Sequence, residues 1–494
     1  MKFVISCLLS KDIVYVIISS EQKNEGCLRS SYFSEMNGGT MRRTYTYKQK
    51  TLQFFAVLLP IFITQLSIVS IGFFDTIMSG HAGEQELAGV AIATNLFFPF
   101  FNSSLGIISG LTPSIAHLYG ADEKGKIRFI VQQGFYWALC LALIFIIAGF
   151  ALVTLLVPIL SLEPRVNYVF THFLLAIACG ICPIFLSAVL RNFIDALGFT
   201  RLTMCITICT VPINIFLNYL FIFGSWGFPS MGGVGAGIGS AITYYINLLL
   251  NVLVVTNIKP FKDYHIFKQF PLPSLKEWKR QLSIGIPIGS TIFCEQSIFG
   301  AVGLLMTVYG TVVIAAHQSA LNFTTMVYMI PLSISMALTI LVGYELGAGR
   351  YNDAKKYSRL GRIASFIFAT SIATTLINFR MGIASLYTND PSVKAFLSIF
   401  LMYAVCMQLS DGINAPLQGT LRGYKDVKIT FYLAVLSYWL LGLPIGWILA
   451  VQLKLGPYGY WIGLIAGILS GAVLLALRLK VVEKKYLKKM TGSC

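Results

Sequence analysis

From Thr51 onward, long apolar stretches alternate with short segments that hold nearly all of the charge. The stretches repeatedly reach the roughly 20 residues that a helix needs to cross a bilayer. The pattern predicts twelve transmembrane helices, near 52–78, 87–118, 129–157, 168–190, 202–223, 235–257, 284–308, 312–346, 360–387, 394–420, 428–452 and 458–481. Pro60, Pro183, Pro212, Pro287, Pro331, Pro416 and Pro444 fall inside these spans and are expected to kink or unwind them, since proline cannot donate to the helix ladder.

The charges orient the bundle. With connecting segments assigned alternately to the two sides, one side holds 29 Lys and Arg and the other only Arg165, Arg380, Lys394 and Lys454. Basic residues collect on the cytoplasmic side, so twelve spans with both termini cytoplasmic are expected, in a bacterial inner or plasma membrane. The formal net charge of +17 is thereby spread over every inner loop instead of forming a nucleic-acid patch. Composition agrees: 56% of residues are hydrophobic and 12% charged, about half the charge of a soluble domain. That excludes a soluble enzyme, a disordered chain and a secreted disulfide scaffold. The ten cysteines fall mostly in apolar spans and make no paired framework or zinc motif.

Residues 1–40 stand apart. Lys11 and Asp12 interrupt their apolar run, and Met41 opens a basic leader that runs into the first span. Gly38-Gly39 can be encoded by a ribosome-binding sequence. This extension is expected to be upstream sequence, with translation starting at Met41.

The two halves of the remainder are copies. Shifted by 227 positions, Pro60-Ile61 falls on Pro287-Ile288, Thr64 on Thr291, Gly83 on Gly310, and Gly120-Ala121 on Gly347-Ala348. Gly232, Gly235 and Gly239 recur as Gly456, Gly459 and Gly463. Each copy has an even number of spans, so both face the same way, as in transporters built from parallel repeats. The expected organisation is an N-lobe over 41–258, a linker over 259–283, a C-lobe over 284–483 and a basic tail over 484–494.

Asp75, Glu295 and Asp411 are the acidic residues well inside helices. Each costs about 3 kcal/mol at the bilayer centre, and no intramembrane Lys or Arg offers itself as a partner. Such carboxylates must line a wet cavity, hold a proton or bind a cation. Gln408, Asn414 and Gln418 lie within about 60° of Asp411 on its helix face. Thr291 is one turn before Glu295, Gln318, Asn322 and Thr325 form a second stripe, and Asn214 and Asn218 a third. A polar stripe alone most often joins helices. Beside an unpaired carboxylate, oxygen ligation of a hard cation is the better reading. His117, His172 and His317 lie in separate spans and make no metal cluster.

The motifs FFDTIMSGH around Asp75, LRNFIDALGFTR at 190–201, VPINIFLNYLFIFG at 211–224, CEQS around Glu295, AAHQSALN at 315–322 and LQGTLRGYKD at 417–426 resemble the multidrug and toxic compound extrusion (MATE) family, NorM-like branch. The resemblance implies an all-α integral membrane protein of two six-helix lobes around a V-shaped cavity. It implies export of cationic drugs or toxic metabolites by alternating access, driven by inward sodium or, alternatively, protons, with no other cofactor. Glu295 and Asp411 would be a C-lobe cation site and Asp75, Asn214 and Asn218 an N-lobe polar site. Thr291, Gln318, Asn322, Gln408 and Asn414 would support binding in the cavity. A monomer in contact with membrane lipid is expected, with no nucleic acid. One departure is Met407, where family members often carry a tyrosine one turn before the Asp411 position. The alternatives are a lipid-linked oligosaccharide flippase of the same superfamily, whose cavities tend to be cationic, and a membrane-embedded enzyme, for which no nucleophile–base pair is visible.

Overall fold

The computed structural model describes residues 41–160 and 162–490. The 1–40 extension and the last four residues of the tail lie outside them. Twelve helices are long and apolar enough to cross a membrane: α1 Tyr47–Ala82, α2 Glu84–Gly120, α3 Lys124–Leu155, α4 Pro164–Ala196, α5 Thr200–Phe223, α6 Gly233–Asn257, α7 Leu275–Tyr309, α8 Thr311–Gly347, α9 Tyr351–Tyr387, α10 Pro391–Gly423, α11 Val427–Gln452 and α12 Pro457–Leu487. Most outrun the predicted spans by a turn or more. Hydropathy sees only the apolar middle of a helix, whereas local capping sets its ends. Thr46 and Gln49 cap α1 reciprocally, the Thr46 hydroxyl accepting from Gln49 N–H at 3.2 Å and the Gln49 carbonyl accepting from Thr46 N–H at 3.3 Å. Asp390 caps α10 through Ser392 N–H at 2.7 Å, with Pro391 at the first helical position.

The largest revision concerns the linker. Residues 275–283 are helical rather than loop, because Ser274 caps α7 by accepting from Glu277 N–H. The remaining connection is pinned to α3. The Gln132 side chain donates to the Ile266 carbonyl at 2.7 Å. Gln133 accepts from Ser274 N–H at 2.8 Å and from the Trp278 indole at 3.0 Å. Phe261, Tyr264 and Ile266 are buried against Phe193 and Phe199 of the N-lobe.

Most of the intraspan prolines leave their helices α-helical, but α11 changes character around Pro444. It winds as a π-helix over Leu436–Gly442 and again over Ile448–Gln452, with one α turn between. Wide turns of this kind are frequent at functional sites. Here they carry Tyr438.

Each lobe has its own apolar core. A third core joins them: Phe54, Val57, Leu58 and Ile61 of α1 pack with Leu338, Leu341, Tyr357 and Leu421 of the C-lobe. This contact lies at the end of the bundle that carries the linker, called here the linker end. Lys50, buried, meets Asp353 of α9 at 3.2 Å, and Tyr357 bonds Thr44 at 3.1 Å and Gln53 at 2.6 Å. His117 of α2 bonds the Gly423 carbonyl at 2.8 Å. Glycines make the closest approaches. Gly106 and Gly110 of α2 face Gly285 and Gly289 of α7, and a Cβ on Gly110 would stand 2.6 Å from the Gly285 Cα. Two small-xxx-small faces let the backbones touch. Asn102 donates to Gln296 at 3.3 Å and the Phe100 ring meets that of Phe293, with centroids 5.2 Å apart; toward the far end beyond these, no hydrogen bond, ion pair or ring contact joins the lobes among the described residues. The lobes are sealed from mid-membrane to the linker end and part toward the far end.

Candidate functional site

Two acid clusters lie inside the helical bundle, one per lobe. In the N-lobe, Asp75 of α1 accepts from the Asn218 amide at 2.5 Å and from the Ser240 hydroxyl at 3.1 Å. The same Asn218 amide donates to the Asn214 carbonyl at 3.2 Å, and Asn214 in turn donates to Ser240 and Thr243 at 3.4 Å each. Asn214 and Asn218 are one turn apart on α5, so both face the α1–α6 groove. Both are fully buried. Gly239 of α6, without a side chain, gives the Asn218 carboxamide its space.

In the C-lobe, Glu295 of α7 accepts from the Gln418 amide of α10 at 2.5 Å and from the Tyr438 hydroxyl of α11 at 3.4 Å. The Asn414 amide donates to the Tyr438 oxygen at 2.8 Å, completing a chain from α10 through α11 to α7. Asp411 lies near enough to Glu295 for their charges to repel, and Tyr328 of α8 is within electrostatic reach of both. Among the described residues no side chain donates a hydrogen bond to Asp411. The arrangement is two carboxylates, two amides and two phenols drawn from α7, α8, α10 and α11. Oxygen-rich, net-negative clusters of this composition suit a hard cation or a shared proton.

The predicted residues divide accordingly. Asp75, Asn214 and Asn218 meet, and so do Glu295, Asp411 and Asn414. Four expected supports do not join these clusters. The Thr291 hydroxyl bonds back to the Pro287 carbonyl at 2.8 Å, as Thr64 does to Pro60 at the repeat-equivalent place. Gln408 donates to the Thr324 carbonyl at 3.1 Å and so fastens α10 to α8. Asn322 accepts from the Tyr387 hydroxyl at 3.1 Å, and Gln318 sits near Gly303 toward the far end. The reading that intramembrane cations take no part also changes. Arg422, counted with an inner loop, is in the last turn of α10 and donates to the Gln418 carbonyl at 3.3 Å.

Sequence reasoning missed Tyr438, Tyr328, Ser240, Thr243 and Arg422. The tyrosine oxygen expected beside Asp411 arrives from another helix, while Met407 itself is buried in the C-lobe apolar core. With 24 tyrosines in the chain, no local signal marks Tyr438; its placement depends on the π turns of α11.

Known proteins agree with this architecture. The MatE family model matches residues 60–220 and 287–448, one match per lobe. The chain is 46% identical to the "Probable multidrug resistance protein NorM" of Halalkalibacterium halodurans over 446 residues, covering 90% of this chain and 97% of that one. It is likewise 46% identical to the protein of the same name from Bacillus subtilis over 449 residues, 91% and 99% of the two chains. Among solved structures, a eukaryotic MATE transporter superposes with a TM-score of 0.81 at 20% identity, over 90% of this chain and 99% of that one. An outward-facing multidrug resistance MATE transporter gives 0.79 at 17% identity, over 88% and 97%. With two matched six-helix lobes and near full-length identity to these bacterial proteins, the chain belongs to the MatE family: it is a multi-pass membrane transporter and not an enzyme.

Proposed function

We propose that the protein is a secondary-active multidrug exporter, in which the Glu295–Asp411 cluster binds the coupling ion and organic cations leave through the cleft between the lobes. The observation that carries this reading is a pair of intramembrane carboxylates, free of any direct salt bridge among the described residues, with the Gln418 amide and the Tyr438 hydroxyl donating to Glu295 and Asn414 holding the phenol in place. Isolated charge in a membrane is expensive and marks an ion or proton pathway. The NorM-named relatives support small-molecule drugs as the cargo.

The ion we favour is sodium, which needs several oxygen ligands and finds them in the C-lobe. The proton is the alternative, with Asp75 as its carrier. Cation binding at mutually repelling carboxylates relieves their repulsion, which is a differential free energy able to bias two arrangements of the lobes. The lobes here meet at the linker end and part at the other, so transport requires a second arrangement with the linker end open. The basic inner loops support cytoplasmic termini, which makes the open end external. Each lobe's cluster is complete within one chain, which supports a working monomer in direct contact with lipid.

The test is dye efflux from everted vesicles under an imposed sodium or proton gradient. Collapse of the sodium gradient alone should abolish transport. If sodium at millimolar levels neither drives efflux nor shifts the melting temperature, while acidification does both, the proton is the coupling ion.

A further inference from the structure

We infer that Arg422 is a positioning residue that fixes the direction of the Gln418 amide and so limits how many oxygens a cation meets at Glu295. This deepens the proposed role of the C-lobe cluster and rests on it.

The geometry leaves Gln418 no choice. A guanidinium has only donors, and an ionised carboxylate only acceptors. Gln418 is buried between one of each: its carbonyl accepts from Arg422 Nη2 at 3.3 Å and its amide nitrogen donates to Glu295 Oε1 at 2.5 Å. A flipped amide would set N–H against guanidinium N–H and carbonyl against carboxylate. Arg422 thus holds Gln418 as a hydrogen-bond donor toward the cluster, where a freely rotating carboxamide could offer its oxygen to a bound cation instead. Arg422 lies one turn along α10 from Gln418, so the contact is built into the helix. Among the described residues no carboxylate forms a salt bridge with it. Its charge instead reaches Glu295 and Tyr328 at longer range.

The consequence is an ion site kept deliberately weak. Glu295 already has two donors, Gln418 and Tyr438, and the carboxamide oxygen is turned away. A site that must release its ion in every cycle gains from one ligand fewer, because added affinity appears mostly as slower release.

Without Arg422 the carboxamide can rotate and ligate. Arg422→Met should lower the sodium concentration for half-maximal thermal stabilisation of the purified protein by about tenfold, the equivalent of one oxygen contact. The maximal efflux rate should fall at the same time. Arg422→Lys, which keeps charge and donor, should stay close to wild type and provides the folded control. The decisive variant is Gln418→Leu, in which no amide remains to be turned. Arg422→Met added to Gln418→Leu should shift sodium affinity much less than Arg422→Met alone, by the loss of the long-range charge only, whereas an Arg422 acting only as a distant charge would shift it equally in both backgrounds. An equal shift, or no shift from Arg422→Met alone, overturns the inference. Glu295→Gln separates this outcome from failure of the site itself. If Glu295→Gln keeps the wild-type sodium response, the proposed ion site falls and the inference falls with it. If Glu295→Gln loses that response while Arg422→Met alone has no effect, the inference alone is wrong.

Discussion

The two lobes descend from one repeat, yet they keep their carboxylates in different places. Asp75 of α1 corresponds under the 227-residue shift to Val302 of α7, and Glu295 corresponds to Ile68. Seven residues separate the two positions, so the acids sit about 10 Å apart in depth, Asp75 nearer the far end of its helix. Where Asn218 faces Gly239 in the N-lobe, Gly446 faces Gly463 in the C-lobe. Val302, Gly446 and Gly463 help to line a small cavity walled by Tyr438, Tyr460 and Leu464. The place that is polar in one lobe is apolar in the other. Partnering differs as well: Asp75 has an amide and a hydroxyl on its two oxygens, while Asp411 has no side-chain donor among the described residues. A repeat conserves the scaffold, and the chemistry is then placed on it independently. A saturated acid suits a structural or proton-holding role, and an unsaturated pair suits reversible ion binding.

The largest expected effect is that of Asp411→Asn, which should reduce gradient-driven efflux by about a hundredfold, equivalent to roughly 2.7 kcal/mol, while insertion and melting temperature hold. Asp75→Asn should keep sodium-dependent stabilisation and change only the response to pH. Wild-type efflux of a cationic dye by purified, reconstituted Asp411→Asn protein would remove Asp411 from the ion site.

Grafting comes next. Val302→Asp places an acid at the N-lobe depth in the C-lobe without its partners, and should destabilise by about 3 kcal/mol in a detergent melt. Adding Gly446→Asn supplies the missing amide and should return about 1 kcal/mol. Equal melting temperatures for the single and double variants would show that partnering does not distinguish the lobes. A smaller contrast pairs Tyr438→Phe with Asn218→Ala. Losing the phenol should weaken sodium binding about threefold. Losing Asn218 should leave sodium binding alone and lower stability, because it leaves Asp75 short of a donor.

The least perturbing test concerns the linker end. Lys425, in the turn after α10, has its amine pushed down to about 8 by burial, then by nearby Arg280, with Glu277 opposing. Half of it is therefore neutral near pH 8, where an ordinary lysine is almost wholly charged. Acylation of Lys425 followed by mass spectrometry should titrate with that midpoint. Conditions that open the linker end should return the midpoint toward about 10.4.

The fold was readable because its signals are long: twelve apolar runs, a charge asymmetry and an internal repeat each integrate over many residues. The acids were readable for the opposite reason, as single charges against an apolar background. What stayed hidden depends on neighbours distant in sequence. Tyr438 meets Glu295 only because α11 widens into π turns, and nothing in LSYWLLGLP announces the widening except Pro444. Arg422 looked like a loop residue because a charge at a helix end ends the hydropathy signal before it ends the helix. Gln318 and Asn322 made as good a stripe as Asn214 and Asn218, and only packing shows which of the two stripes meets a carboxylate.

The glycine contacts between α2 and α7 bear on how fast such a machine can work. A seal of interlocked side chains must withdraw each one from its socket before the halves move, and every withdrawal raises the barrier. Gly106 and Gly110 against Gly285 and Gly289 give two smooth faces, as do Gly120 against Tyr344 and Gly347 against His117 at the linker end. Smooth faces part along their whole length with little friction, and they close without a search for register. The tightness of the seal is then set by a few polar clasps such as Lys50 with Asp353, and those can be tuned without recutting the faces.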